Sequence, residues 1–407
     1  MPGLLGNLAE AREILRQRFG HERLRPAQLR VVGPLLAGRD VLAILPTGAG
    51  KSLCYQLPAL LTPGLTLVVS PLISLMQDQV RALRRRGIPA AYLSATLDRA
   101  DRAVVLDAAL TGRLTLLYCA PERLGSLVRR LRRGPRRVAL LAVDEAHCVV
   151  EWGNEFRPVY RLLGKYRYLL GSPPTLALTA SATAGSRAEI ASVLRLRDPE
   201  VVVGSFDRPN LRFRVERVPD DRTRFHRLRA LIRGSPGPVI VYAPTRRLTE
   251  LVTRALLRAS VRAAPYHAGL RPATRRQVLL DFLRDRAPVV VATSAFGMGI
   301  DKPDVRVVVH WGPARTLEAY YQEAGRAGRD GQGADCVVLW RPDDLAWGDL
   351  IPAARRYVET RRCRRRMLLE YFGERAERCG GCDVCGVTPA EPRVRPGWVN
   401  PGAAPRG

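Results

Sequence analysis

A glycine-rich segment, LPTGAGKS at residues 45–52, has the composition of a phosphate-binding loop. Its glycines let backbone amides surround phosphate oxygens, and the helix predicted after the loop directs its positive end at the same anion. Lys51 would reach the β- and γ-phosphates, and Ser52 would bind Mg²⁺. Leu45 stands where the strict pattern has its first glycine, so a chance glycine turn is the alternative. The predicted nucleotide-binding residues here are Thr47, Gly48, Gly50, Lys51 and Ser52.

A second candidate site is the acid pair Asp144 and Glu145, directly after the apolar run 138–143. Parallel sheets hold their ligands at the carboxyl ends of their strands, where this pair is predicted to lie. Asp144 can bind Mg²⁺, and Glu145 can orient and deprotonate an attacking water. Adjacent carboxylates repel each other without a cation, which favours a metal ion. The alternative is an exposed acid pair at a strand end.

Two arginines in the second half of the chain are further candidates for catalysis. Arg326 and Arg329 lie in YYQEAGRAGRDG, residues 320–331. Three residues apart, they would share a face of a helical turn. Arginines directed at a γ-phosphate stabilise the charge that develops there during transfer. An Arg/Gly-rich loop without a catalytic role is the alternative.

Four of the eight cysteines are clustered near the C-terminus, in RRCRRRMLLEYFGERAERCGGCDVC. Their spacing suits four thiolates around a tetrahedral Zn²⁺, and a redox C-x-x-C pair is the alternative. The predicted zinc ligands are Cys363, Cys379, Cys382 and Cys385. The other four cysteines are predicted to be buried free thiols.

The composition favours a polyanionic partner. The 407 residues carry a formal charge of +28, and only three of the 66 cationic residues are lysine. GC-rich coding pressure can replace lysine with arginine, but this replacement leaves the charge unchanged. It therefore does not explain the excess of cationic over acidic residues, which favours a polyanion as partner. No apolar run is long enough to span a membrane, and the N-terminus does not look like a secretory signal. These features predict a cytoplasmic protein.

Apolar runs of strand length alternate with helix-length segments in two series, separated by a Pro/Gly break at 234–238. Such alternation predicts two α/β domains with parallel sheets. The first series comprises 40–45, 65–70, 114–119, 138–143 and 175–180, and the second comprises 238–243, 288–293, 305–310 and 334–340. One helix face is predicted from Leu248, Leu251, Val252, Leu256 and Ala259.

Together these motifs resemble the RecQ family of DNA helicases within helicase superfamily 2. The resemblance covers about residues 15–386, with the motifs in family order. It implies two RecA-like (P-loop NTPase) domains with ATP·Mg²⁺ between them, and a small helical zinc-binding subdomain. The matching segments besides the phosphate loop are FGHERLRPAQ (19–28), SPLISLMQDQ (70–79), YCAPERL (118–124), AVDEAHC (142–148), LTASAT (178–183), VYAPTR (241–246), YHAGL (266–270), VATSAFGMGIDKPDVR (291–306) and QEAGRAGRDG (322–331).

The resemblance also implies roles for residues outside the phosphate loop. Arg25 and Gln28 would contact the adenine, and Gln77 lies in a segment that contacts the DNA backbone. EWGNEFRP, residues 151–158, is similar to the family's aromatic-rich loop, although Asn154-Glu155 replaces the usual His-Asp. The aromatic rings of Trp152 and Phe156 could stack on DNA bases without sequence preference. The alternative is that both are ordinary residues of the apolar core. The predicted DNA-binding residues are Gln77, Trp152, Phe156 and Arg157.

The predicted domains are 1–205 and 206–340 (RecA-like), 341–386 (zinc-binding) and a disordered Pro/Gly-rich tail at 387–407. Only 22 residues follow Cys385, too few for the winged-helix and HRDC domains common in this family. The expected function is 3′→5′ unwinding of single-stranded and forked DNA with ATP, Mg²⁺ and Zn²⁺, in repair or recombination at the bacterial nucleoid. The alternatives are a translocase or annealing factor that needs a partner, a zinc-containing nucleic-acid-binding protein with weak ATPase activity, and an RNA helicase.

Overall fold

The computed structural model describes residues 2–46, 48–151, 158–296, 302–346, 350–375 and 378–386. These residues form two compact units, one ending at Ser205 and the other beginning at Phe206. Within the described ranges, no helix combines the length and apolar character needed to cross a bilayer. The predicted tail, 387–407, lies outside the described residues.

The first unit is a sheet of seven parallel strands with helices between them, counted over its described residues. Its strand order is β3-β4-β2-β5-β6-β1-β7. The strands are β1 (Val41–Ile44), β2 (Leu65–Val69), β3 (Ala90–Leu93), β4 (Leu116–Cys119), β5 (Val138–Val143), β6 (Thr175–Thr179) and β7 (Glu200–Val203). The helices are α1 (Pro2–Phe19), α2 (Pro26–Leu36), α3 (Leu53–Leu61), α4 (Ile73–Arg85), α5 (Arg99–Leu110), α6 (Pro121–Arg133), α7 (Cys148–Glu151), α8 (Leu163–Leu169) and α9 (Ala184–Val193).

The second unit repeats this design with six parallel strands in its described part, ordered β10-β11-β9-β12-β13-β8. The strands are β8 (Leu211–Arg217), β9 (Val239–Tyr242), β10 (Ala263–Tyr266), β11 (Val289–Ala292), β12 (Val307–Trp311) and β13 (Ala334–Trp340). The helices are α10 (Asp221–Gly234), α11 (Arg246–Arg258), α12 (Pro272–Leu283), α13 (Leu317–Ala324), α14 (Pro352–Glu359) and α15 (Arg364–Tyr371). The parallel-sheet α/β fold predicted for both halves is therefore confirmed.

Every predicted strand is present, and all of them lie in the interior of a sheet. The strands that the apolar pattern missed are β3, β7, β8 and β10, and each one is an edge strand. Interior strands are covered on both faces and read as continuous apolar runs, whereas edge strands are only partly covered. β10 shows the difference, because all four of its residues are half-buried.

The predicted apolar face of α11 is only partly correct. Leu256 is fully buried, but Leu251 is 42% exposed. Thr249 and Thr253 are buried instead, and their hydroxyls donate to the carbonyl oxygens of Thr245 and Thr249. A threonine hydroxyl that donates to the preceding helical turn is not left unsatisfied when it is buried. Threonine can therefore replace an aliphatic residue on the buried face.

A buried ion pair lies where the strands of the first sheet begin, at their amino-terminal ends. Arg167 Nη2 donates to Asp40 Oδ2 at 2.6 Å, and both side chains are almost completely buried. The Asp40 carboxylate also accepts hydrogen bonds from the backbone N–H groups of Thr175 and Arg197. Asp40 thereby connects the start of β1 to α8 and to the segments before β6 and β7.

Candidate functional site

The phosphate loop follows β1 and turns sharply before α3. Its glycines make the turn possible, since Gly48 and Gly50 have φ of 85° and 76°, where other residues are strained. The ammonium group of Lys51 donates to the carbonyl oxygen of Leu45 at 3.2 Å. Ser52 directly precedes α3 as its N-cap. The predicted strand–loop–helix arrangement is therefore present, while Thr47 lies outside the described residues.

Arg25 and Gln28 contact this loop directly. Arg25 Nη1 donates to the Gly48 carbonyl oxygen at 2.8 Å, and Gln28 Nε2 donates to those of Ala49 and Gly50 at 3.1 Å each. Gln28 Oε1 accepts from the backbone N–H of Arg25 at 2.9 Å, which fixes the Gln28 side chain relative to the start of α2. A Cβ on Gly50 would lie 2.5 Å from Gln28 Nε2, so only glycine fits there. Both residues thus form one wall of the phosphate loop.

Asp144 and Glu145 directly follow β5. They therefore lie at the carboxyl ends of the strands, as the phosphate loop does. Only β6 separates β5 from β1. Burial raises the pKa of Asp144 to about 7; the charge of Glu145 acts in the same direction, and the Lys51 ammonium opposes it. Such a buried carboxylate gains most from a nearby cation.

Glu145 has a left-handed backbone conformation, with φ of 52°. For a residue with a side chain this conformation costs free energy, and it is found most often at functional sites. Glu145 Oε2 lies 3.4 Å from His147 Nδ1, which lies 3.0 Å from the Thr179 hydroxyl. Thr179 ends β6, so this chain of contacts joins the acid pair to the LTASAT segment.

Arg326 and Arg329 lie in the turns after α13, which ends at Ala324. Consecutive i→i+3 turns continue beyond the helix, since Arg326 N donates to the Glu323 carbonyl oxygen at 3.2 Å and Ala327 N to that of Ala324 at 3.0 Å. That the two arginines share a face of these turns stays a prediction. We call residues 325–329 the arginine loop. Burial raises the pKa of Tyr242, at the carboxyl end of β9, while the charge of Arg326 and, more weakly, that of Arg329 oppose the shift. Both cations are thus near the carboxyl end of β9, in the second unit.

The four clustered cysteines come together in the second unit. Their sulfur atoms all lie within 4.8 Å of one another, and those of Cys363 and Cys382 are 3.9 Å apart. A tetrahedral zinc site with bonds of about 2.3 Å has sulfur atoms about 3.8 Å apart, so the cluster fits Zn²⁺. Burial raises the pKa of the Cys382 thiol, but the N–H groups of Cys385 and Arg364 and neighbouring thiols outweigh it, lowering that pKa to about 7.

The cysteine segment also extends the second sheet. Phe213 N donates to the Gly381 carbonyl oxygen at 3.3 Å, and Asp383 N donates to that of Phe213 at 3.0 Å. These bonds pair the segment with the free edge of β8, which protects that edge from other strands. Arg364, one of the arginines around the first cysteine, is buried and donates to Asp383 at 3.0 Å.

Of the predicted DNA-binding residues, only Gln77 is described. It lies half-buried on α4, and its amide donates to the Tyr92 hydroxyl at 3.1 Å. Trp152, Phe156 and Arg157 lie outside the described residues.

Arg208 is a contact of the arginine loop that the motif analysis missed. Its guanidinium donates to the carbonyl oxygens of Gly325, Ala327 and Gly328 at 3.2, 3.0 and 2.8 Å. In a chain with 63 arginines, nothing in the local sequence distinguishes this one.

Three family descriptions match this chain. They are "DEAD/DEAH box helicase" over residues 25–190, "Helicase conserved C-terminal domain" over 223–331, and "RecQ zinc-binding" over 351–386. The first two match the two α/β units, and the third includes all four clustered cysteines. Together with the sulfur geometry they support ATP and zinc as ligands.

Solved structures share the fold at low sequence identity. The helicase Lhr of Mycobacterium smegmatis, bound to ssDNA and AMP-PNP, has a TM-score of 0.67 and 24% identity, covering 87% of this chain and 50% of that one. The DUF1998 helicase MrfA, bound to DNA, has a TM-score of 0.68 and 18% identity, covering 82% of this chain and 51% of that one. These structures support the assignment of two RecA-like folds.

Curated relatives are more similar in sequence. "ATP-dependent DNA helicase RecQ" of Haemophilus influenzae is 40% identical over 92% of this chain, which spans 63% of that protein's length. "ATP-dependent DNA helicase RecQ" of Bacillus subtilis is 39% identical over 94% of this chain and 68% of its own length. With the zinc-binding match and the order of the motifs, these similarities show that the chain belongs to the RecQ family of helicases.

Proposed function

We propose that this protein is an ATP-dependent DNA helicase that moves 3′→5′ on single-stranded DNA and separates forked duplexes, in DNA repair or recombination. Membership of the RecQ family supports the activity and its direction, and relatives at 39–40% identity are named as DNA helicases. The net charge of +28 suits a polyanionic substrate. A bacterial protein of this kind would act in the cytoplasm, at the nucleoid.

The observation that carries the proposal is the placement of Lys51 and Asp144 after two strands, β1 and β5, that only β6 separates. The two residues come from different parts of the chain, after β1 and after β5, yet the Lys51 ammonium acts on the buried Asp144 carboxylate. ATP hydrolysis requires a cation that binds the phosphates and, close to it, an acid that binds the metal ion. In parallel sheets such groups lie at the carboxyl ends of the strands.

The proposed roles in hydrolysis follow from these positions. Lys51, with the amides of Gly48 and Gly50, would bind the β- and γ-phosphates. Ser52 and Asp144 would hold Mg²⁺, which neutralises charge on the phosphate oxygens when it is bound. Glu145 would orient the attacking water and accept its proton.

Three further assignments complete the proposed catalytic and adenine-binding residues. Arg25 and Gln28, already bonded to the phosphate loop, would contact the adenine. Arg326 and Arg329 would stabilise the charge that develops on the γ-phosphate. Thr47 would contribute to the phosphate loop.

DNA contacts are assigned to the first unit, and zinc binding is assigned to the second. Trp152 and Phe156 would stack on bases, while Arg157 and Gln77 would contact the backbone. The proposed zinc-binding subdomain, 341–386, would bind Zn²⁺ through its four thiolates. A metal held by all four would join the cysteine segment to the start of α15 and so stabilise this small region.

A paired assay of ATP hydrolysis and strand separation tests the proposal. We expect single-stranded DNA to stimulate hydrolysis more than single-stranded RNA does. We also expect forks with a 3′ tail to be unwound and forks with only a 5′ tail to remain intact. DNA-stimulated hydrolysis without unwinding would instead identify a translocase or annealing factor that needs a partner.

A lysine comparison within the same assay tests the site. Lys51→Ala should abolish DNA-stimulated hydrolysis, because the phosphates lose their ammonium partner. Lys165, an exposed lysine on α8, provides the matched control, since Lys165→Ala removes the same charge elsewhere. Turnover retained in Lys51→Ala would reject the assignment of the ATP site.

A further inference from the structure

A short segment at the start of the second unit, residues 206–211, lies between the arginine loop and helix α15. It connects the last residue of the first unit to β8, and its sequence, FDRPNL, belongs to none of the helicase motifs described above. Both sides of this segment are bonded to the rest of the second unit. Those bonds determine how the arginine loop is held.

On one side, Arg208 bonds to the backbone of the arginine loop. Its three acceptors are the carbonyl oxygens of Gly325, Ala327 and Gly328, which flank Arg326 and precede Arg329. A planar guanidinium presents its N–H donors at fixed angles, so three carbonyl groups that bond to it cannot turn independently. One side chain therefore bonds to the backbone on both sides of Arg326 and directly before Arg329.

Asn210 reinforces the same contact. Its amide donates to the carbonyl oxygens of Gly328 at 2.9 Å and Gln332 at 2.7 Å. Gly328 has φ of 54°, and a Cβ there would lie 2.5 Å from Asn210 Nδ2. The loop thus packs against the segment without room for a larger residue.

On the other side, the segment is bonded to α15. The Arg365 guanidinium, only 1% exposed, donates to the Asp207 carboxylate, to the Arg208 carbonyl oxygen at 2.9 Å, and to that of Leu211. Phe206 adds a ring stack on Phe372 at 4.6 Å. These contacts hold the backbone of Arg208 in place, so that its side chain reaches the loop from a fixed position.

We propose that Arg208 is a positioning residue for ATP hydrolysis, which sets the arginine loop so that Arg326 and Arg329 reach the transferred phosphate. Arg365 supports it by anchoring the segment to α15. Arg208 touches no reacting atom in this role and acts only through the loop backbone. The assignment rests on the proposed ATPase activity, and its test includes a measurement that does not depend on that activity.

The variant Arg208→Lys keeps the charge and loses the planar set of donors. Misplacing catalytic groups by about 1 Å costs about 100-fold in rate, so we expect kcat of DNA-stimulated hydrolysis to fall by about that factor. KM for ATP and the affinity for single-stranded DNA should stay within about threefold, because neither is bound by the loop backbone. A merely structural role would lower the melting temperature and the folded fraction, and kcat calculated per folded molecule would then stay at the wild-type value.

A matched control is available four residues further along the chain. Arg212 is half-buried like Arg208, and its guanidinium forms two bonds to Asp335 at 2.7 and 2.9 Å. Arg212→Lys removes a comparable set of donors without touching the arginine loop. We expect its kcat to remain at the wild-type value.

Hydrogen exchange separates this proposal from the proposed function. With its carbonyl groups released, the peptide covering residues 325–332 should exchange about tenfold faster in Arg208→Lys and at the wild-type rate in Arg212→Lys. Unchanged exchange in Arg208→Lys would overturn the role of Arg208 even if the wild-type protein hydrolyses ATP. If Arg208→Lys exchanges faster but the wild-type protein hydrolyses no ATP, the contact of Arg208 with the loop stands. The proposed function is then rejected, and the positioning role in hydrolysis is rejected with it.

Non-additivity provides the last test. The probe is ADP with aluminium fluoride, a transition-state analogue. If Arg208 acts through the arginine loop, adding Arg208→Lys to the wild-type protein should weaken binding of this probe. Adding the same change to the double variant Arg326→Ala/Arg329→Ala should weaken binding by no more than about twofold. Equal losses in the two backgrounds would overturn the proposal, because they require a route that does not involve these arginines.

Discussion

The ammonium nitrogen of Lys51 donates a 3.2 Å hydrogen bond to the carbonyl oxygen of Leu45. Leu45 is fully buried directly after β1, and its backbone N–H donates to the Thr179 carbonyl oxygen of β6 at 2.9 Å. The lysine is thereby held over the phosphate loop by a rigid strand end. A carbonyl oxygen is a weaker partner for an ammonium group than phosphate, so bound nucleotide is expected to replace it.

This contact predicts that arginine cannot replace Lys51, even in a chain where nearly all cations are arginine. The guanidinium is larger and planar and spreads its charge over a broad fork, whereas the ammonium group is a compact point charge. We expect Lys51→Arg to lower kcat of DNA-stimulated hydrolysis by about 100-fold or more, as the loss of one transition-state donor does. Lys165→Arg should match the wild type, and wild-type turnover in Lys51→Arg would contradict the lysine's proposed role.

Glu145→Gln is expected to separate nucleotide binding from hydrolysis. The amide keeps the shape of the side chain but cannot accept the proton of the attacking water, so kcat should fall by about 10²- to 10⁴-fold. ATP affinity, measured by fluorescence of a labelled nucleotide, should change little. Glu189→Gln, at an exposed position on α9, is the control. An unchanged kcat in Glu145→Gln would exclude Glu145 as the base.

Cys382→Ser is expected to abolish zinc binding and destabilise the second unit. Cys382 is buried, and its segment pairs with the edge of β8, so loss of the metal also disturbs the sheet. Each kcal/mol lost should lower the melting temperature by about 2–4 °C in a unit of this size.

Metal content by atomic spectroscopy, together with thermal unfolding, measures both effects of Cys382→Ser. Cys119→Ala, a buried cysteine of the first unit, should keep its zinc. A fully metal-loaded Cys382→Ser protein would argue against the four-thiolate site.

Asp40→Ala is expected to destabilise the first unit strongly. Removing Asp40 leaves the Arg167 guanidinium buried without its carboxylate, and breaking a buried pair in this way costs about 3–5 kcal/mol. Chemical denaturation measures the loss in the free energy of unfolding. The exposed pair of Asp78 with Arg81 offers a comparison, since Asp78→Ala should change stability by no more than about 0.5 kcal/mol.

The chemistry of the candidate site was readable from local spacing. Glycines before Lys51, two acids after an apolar run, and cysteines three residues apart each specify a local arrangement, because the groups involved are close in sequence. The meeting of the phosphate loop with Asp144 also followed, since parallel strands bring their carboxyl ends to one edge. The end of α13 at Ala324 did not follow, because Gly325 keeps a right-handed helical conformation and turns continue after it.

By itself, then, the sequence determined the two α/β units, their interior strands and the candidate residues for binding phosphate and metal, because burial on two faces and ligand spacing leave strong local patterns. Only the tertiary structure decided which strands form the sheet edges and what holds the arginine loop. Edge strands such as β8 are half-covered and therefore lack a continuous apolar run. The contact of Arg208 with Gly328 spans 120 positions of the chain, and one guanidinium bonding to backbone carbonyl groups leaves no mark on the residues around it.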